Sequence, residues 1–180
     1  MKTKIQISLF TVLIISLSST TWEQEDKIKD IQSKFRSINQ DTTYTILTLD
    51  NEAFLEQMTD GGGQLIGYFK GDTIYKIHER VGLSYCILTT EYYFWNRQLI
   101  FVFEKEDAFP YVDSLATLDY TKTETIFEGR YYFDQSKLID AGTTGQKSIP
   151  DDLLFDSQTK EGQLLSSANK NVDILTKKKK

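Results

Sequence analysis

One pattern recurs along the chain and restricts its fold more than any other feature. Tyr92-Tyr93-Phe94, four residues and then Leu99-Ile100 is matched by Tyr131-Tyr132-Phe133, four residues and then Leu138-Ile139. A looser copy is Gly67-Tyr68-Phe69, four residues and then Ile74-Tyr75. In each copy two β-prone segments flank a turn pair: Gly71-Asp72, Asn96-Arg97 or Gln135-Ser136. Gly or Asn at the first turn position supplies the positive φ that a tight hairpin needs; Gln135-Ser136 supplies it poorly. The reading is three consecutive hairpins, Gln64 to Lys70 with Thr73 to Glu79, Ser84 to Trp95 with Gln98 to Glu104, and Thr123 to Asp134 with Lys137 to Asp140. Two-residue turns then put Phe69 opposite Ile74, Phe94 opposite Leu99 and Phe133 opposite Leu138.

Alternation sorts the central hairpin into two faces. One carries Tyr92, Phe94, Leu99, Phe101 and Phe103; the other carries Glu91, Tyr93, Ile100, Val102 and Glu104. The first face is the more apolar and is expected to meet helices, with the second left partly wet. Helices are expected at both ends. Ile28, Ile31, Phe35 and Ile38 form one stripe on a helix from about Trp22 to Asn39, with Thr21 and Gln24 as a capping box. Leu164, Ala168, Val172 and Leu175 form a second stripe ending near Thr176, and Ser148-Ile149-Pro150 has the character of a helix start. Between them, Thr43 to Leu49 reads as a further strand, Asp107 to Tyr120 as an irregular excursion and Gly142 to Ser148 as a polar linker. The fold class is α+β: a twisted antiparallel sheet of three consecutive hairpins packed against N- and C-terminal helices.

The ends carry their own signals. Lys2 and Lys4 precede an apolar run from Ile5 to Ile15, and Ser16 and Ser18 follow it, the layout of a secretory signal peptide over residues 1–18. Residues 19–176 are then a single domain, and residues 177–180 a basic tail read as frayed and solvated. Secreted or periplasmic is the expected location, with no stable membrane insertion once the signal is removed. The net charge of −5 becomes more negative without Lys2 and Lys4, which argues against a nucleic-acid partner.

Candidate chemistry is sparse. His78 is the only histidine and Cys86 the only cysteine. Cys86 sits in the apolar run Tyr85-Cys86-Ile87-Leu88 and reads as a buried, inert thiol. No catalytic residue, metal site or cofactor is indicated: no nucleophile elbow is present, and the Gly61-Gly62-Gly63 run lacks the Lys-Ser/Thr of a nucleotide-binding loop. Glu91, Glu104, Glu124 and Glu128 are the carboxylates to test for a glycosidase-type pair. Tyr68, Tyr75, Tyr93 and Tyr132 fall on the less apolar face and would form an aromatic strip suited to a protein, peptide or carbohydrate partner. The other reading of the same tyrosines is stacking across strands or cover by connecting segments.

These motifs together resemble a group of uncharacterised secreted proteins of Gram-negative bacteria. The likeness is carried by Gly67-Tyr68-Phe69 with Lys76-Ile77, Thr90 to Phe94 with Leu99 to Val102, and Arg130 to Phe133 with Lys137-Leu138-Ile139. It implies export and the hairpin architecture, and it brings no catalytic residues. The function expected is a secreted or periplasmic non-catalytic binding module, the alternative a carboxylate-dependent hydrolase of sugars or peptides.

Overall fold

The computed structural model describes residues 5–148 and 159–179, with side chains for all of these except residues 5–21 and 115. The elements are α1 (Ile5–Gln40), β1 (Thr45–Asp50), β2 (Gly63–Lys70), β3 (Thr73–Gly82), β4 (Cys86–Trp95), β5 (Gln98–Ala108), β6 (Tyr111–Val112), β7 (Thr117–Leu118), β8 (Glu124–Asp134), β9 (Lys137–Gly145) and α2 (Lys160–Lys179). The fold is α+β. One antiparallel sheet runs β1-β2-β3-β4-β5-β8-β9, and β6 and β7 form a small second sheet within the excursion. Short 3-10 turns cover Asn51–Ala53 and Asp113–Leu115. Among the described residues no helix is long and apolar enough to cross a membrane.

All three hairpins close as the turn pairs predict, pairing Phe69 with Ile74, Phe94 with Leu99 and Phe133 with Leu138. One residue later each hairpin slips. Tyr93 faces Phe101, which leaves Ile100 without an opposite number; Tyr68 faces Lys76 past Tyr75, and Tyr132 faces Asp140 past Ile139. Each is a bulge, in which two residues of one strand oppose a single partner and the alternation beyond it inverts. The face assignment of the central hairpin is corrected accordingly. Tyr92, Phe94, Leu99 and Val102 share one core; Tyr93, Ile100, Phe101 and Phe103 share the other. Glu104 moves with Val102, away from Glu91.

The expectation of one wet face is also corrected, because the helices lie on opposite sides of the sheet. α2 covers Phe69, Tyr92, Phe94, Val102 and Phe133 with Leu164, Ala168 and Leu175. α1 covers Tyr93, Ile100 and Phe101 with Ile31, Phe35 and Ile38. A stripe of that kind buries apolar area worth about 1.5–3 kcal/mol per large side chain, which is what holds an otherwise polar helix to the sheet.

Other boundaries differ from the sequence reading. α1 begins by Ile5 and continues through Thr21, so Thr21 to Gln24 is helix interior and caps nothing. β9 extends to Gly145, taking in most of the expected linker. The Ser148-Ile149-Pro150 helix start lies mostly outside the described residues. α2 reaches Lys179, whose ammonium lies 4.5 Å from the centre of the Phe69 ring and donates to the Gly71 carbonyl, so this end of the tail is docked on the first turn. The glycine run clasps a strand end: Gly61 N–H donates to Gly82 O at 3.0 Å, and Gly82 N–H to Gly62 O at 2.8 Å. A Cβ on Gly61 would lie 2.7 Å from the Gly82 Cα, so the approach requires glycine.

The turns differ in cost. Asn96 and Arg97 have φ of 50° and 65°, Gln135 and Ser136 have 49° and 63°. Left-handed backbone disfavours every residue with a Cβ, and Gln and Ser more than Asn and Gly. Replacing the third turn by Gln135→Asn with Ser136→Gly should raise stability by about 1–2 kcal/mol, read as a higher urea midpoint with an unchanged slope.

Candidate functional site

The four tyrosines singled out from sequence do share one face, and α1 lies over it. Tyr93 is fully buried, while Tyr68, Tyr75 and Tyr132 are half-buried. Their rings stack edgewise or tilted: Phe35 on Tyr93 at 4.8 Å, Tyr44 on Tyr68 and Tyr75 at 6.1 and 5.7 Å, Phe101 on Tyr132 at 5.0 Å. The open strip is therefore replaced by a stacked layer, with Lys76 over Tyr68 and Tyr93.

At the centre of this layer β4 carries Glu91. Its carboxylate accepts from Lys76 Nζ at 2.7 Å, the Tyr93 hydroxyl at 2.6 Å and His78 Nδ1 at 3.3 Å. Lys76 also donates to Asn39 Oδ1 at 3.1 Å, which ties the C-terminal end of α1 to β3. Burial opposes ionisation of Glu91, but the bonds from His78, Lys76 and Tyr93 together prevail and bring its pKa down to about 2. Burial, and then the Glu91 charge, pushes the Tyr93 phenol strongly up.

Beside this network, α1 stands off the sheet and leaves a pocket of about 360 Å³. Its apolar lining is Ile31 and Phe35 from α1 and Phe101, Phe103 and Tyr132 from the sheet, with Phe35 edge-on to Phe101 at 5.2 Å. One lip is Gln32 and Arg36, a helical turn apart on α1; the other is Arg130 on β8, its guanidinium 5.2 Å from the Phe103 ring centre. Arg130 pairs with Glu128 at 2.9 Å, whereas Arg36 has no ion-pair partner among the described residues. Glu91 closes the inner end. Aromatic walls with a few converging polar groups are the composition of a small-ligand site.

The other face holds a different cluster. Glu79 accepts from the Tyr92 hydroxyl at 3.2 Å and Asn171 Nδ2 at 2.8 Å, and its pKa is raised by burial against those two bonds. Glu104 accepts from Lys160 at 2.8 Å, Lys147 at 3.1 Å and the Tyr131 hydroxyl at 3.1 Å. Glu106 accepts from Ser148 N–H at 3.2 Å. Glu79, Glu104 and Glu106 border a smaller cavity of about 220 Å³ beneath α2 and hold the helix and the chain before it to the sheet.

The four carboxylates marked for acid/base work do not converge. Glu91 and Glu104 are on opposite faces, Glu128 is engaged by Arg130, and Glu124 is exposed at the start of β8. Cys86 is fully buried, and its thiol is pushed up to about 12 by burial and then by neighbouring Glu106. His78 is half-buried and bonded to Glu91. Among the described residues no group of three or more His, Cys, Asp or Glu is placed to hold a metal ion. Sequence reasoning missed Glu79, Arg36 and Arg130. Fold and site together define an α+β meander covered on both faces by helices, with a ligand-sized aromatic pocket under one of them. No protein-family model, curated protein or solved structure matches this chain.

Glu91 anchors the α1 side electrostatically, and its pKa sets the pH window. The value of about 2 lies below the ordinary 4.5, so its stabilisation is complete above about pH 5 and is lost as pH falls through 2. The depression corresponds to something on the order of 3 kcal/mol at neutral pH. Glu91→Gln should lower stability at pH 7 by about 2 kcal/mol and flatten the decline between about pH 5 and pH 2, measured by urea unfolding across that range.

Proposed function

We propose that this chain is an exported, non-catalytic binding module that holds a small ligand between α1 and the sheet. The observation that carries the reading is the pocket of about 360 Å³ lined by Phe35, Phe101, Phe103 and Tyr132. Two further features support it. The carboxylates near the pocket are occupied by Lys76, His78, Tyr93 and Arg130, so they act as fixed charges rather than as a paired acid and base. The first residues have the n-region, apolar run and small-residue end of a signal peptide, which supports a secreted or periplasmic location. The ligand enters past Gln32 and Arg36 on one side and Arg130 on the other.

A neutral apolar fluorophore, N-phenyl-1-naphthylamine, tests the pocket directly. Its emission should rise on mixing with the purified protein. Gln32→Trp, which fills the entrance from α1, should abolish the rise, and Gln32→Ala should preserve it. No rise with the native protein, or an equal rise with Gln32→Trp, overturns the reading. Export is tested separately: expressed with its native N-terminus in a Gram-negative host, the chain should be recovered outside the cytoplasm and shortened by about 18 residues, by intact mass.

A further inference from the structure

The charges around the pocket do not cancel, and the imbalance names a ligand class. Glu91 is matched by Lys76 at 2.7 Å, and Arg130 by Glu128 at 2.9 Å. His78 Nδ1 also lies 3.3 Å from the Glu91 carboxylate. That leaves Arg36, on the outer lip, as the one pocket-lining cation without an ion-pair partner among the described residues. Gln32, one turn earlier on α1, offers an amide beside it, loosely placed at 3.5 Å from the Tyr132 hydroxyl. The polar groups are thus gathered at the mouth, and the rings of Phe35, Phe101 and Phe103 lie inside.

We infer that the pocket binds an amphipathic monocarboxylate, with its apolar body against the rings and its carboxylate at Arg36. This rests on the pocket reading above and adds the chemistry of the ligand. A guanidinium presents paired N–H donors in the geometry a carboxylate accepts, and Arg130, its guanidinium 5.2 Å from the Phe103 ring centre, borders the same mouth. One uncompensated positive charge suits a monoanion.

Displacement of N-phenyl-1-naphthylamine by octanoate and by 1-octanol separates this inference from the one it rests on. The two competitors share a chain and differ at the head. Octanoate should displace the probe at a concentration at least tenfold below that of octanol. Arg36→Gln should remove that preference while leaving displacement by octanol within twofold of the native protein. Arg130→Gln should reduce the preference only partly, because Glu128 already shares that charge. Equal displacement by the two competitors, or a preference that survives Arg36→Gln, overturns the monocarboxylate while leaving the pocket intact. Failure of the probe itself to bind overturns both. Arg36 is exposed and packs in neither core, so loss of folding does not confound its replacement.

Discussion

The slip of one residue after each hairpin turn is the constraint on which the rest of the molecule depends. Without it, Phe101 and Phe103 would point toward α2, and Val102 and Glu104 toward α1. With it, Ile100 and Phe101 both reach the α1 side, the floor of the pocket becomes aromatic, and Glu104 arrives where Lys147 and Lys160 meet it. The same device places Tyr75 and Lys76 together, so that Lys76 can lie over Tyr93 and reach Glu91. A bulge is a small backbone event, but here it decides which residues each helix can touch.

The two faces handle buried carboxylates in opposite ways, and the donors explain why. Glu91 receives a cationic donor, Lys76, along with His78 and Tyr93, and stays ionised well into acid. Glu79 receives only a phenol and an amide, from Tyr92 and Asn171, which do not offset the loss of water, so its pKa moves up. Carboxylates one strand apart thus differ in titration because one has a full positive charge beside it. Glu104 resembles Glu91 in having lysines on it, and those lysines attach the N-terminal end of α2 and the strand exit to the sheet.

What could be read from the sequence was what local geometry decides. A two-residue turn fixes the register next to it, so the Phe–Ile and Phe–Leu pairs followed from spacing alone. The bulges did not follow. Leu99-Ile100-Phe101-Val102-Phe103 is apolar at every position, and a run with no polar residue carries no record of a phase change. The common face of Tyr68, Tyr75, Tyr93 and Tyr132 was legible, but its cover was not, since the Ile31/Phe35/Ile38 stripe fits either side of a sheet equally well. Thr21 and Gln24 misled because a capping pair looks the same inside a helix as at its start. Glu79 did leave a trace: it occupies the apolar register of β3 between Ile77 and Val81, where a carboxylate requires a buried partner. The pocket left almost none, for its volume depends on how closely α1 approaches the sheet, a distance set by side chains far apart in the chain.

The strand order has a consequence of its own. Every strand of the main sheet is bonded to its predecessor in the chain, interrupted only by the excursion that holds β6 and β7. Each pairing therefore closes a short loop, and no segment must thread past another. A sheet wired in this way can gain or lose a whole hairpin by duplication or deletion of about thirty residues, with the neighbours re-pairing across the gap. The near-repetition of the Tyr-Phe-turn-Leu-Ile unit is what growth by that route would leave behind, and the width available to α1 and α2 would be set by how many times it happened.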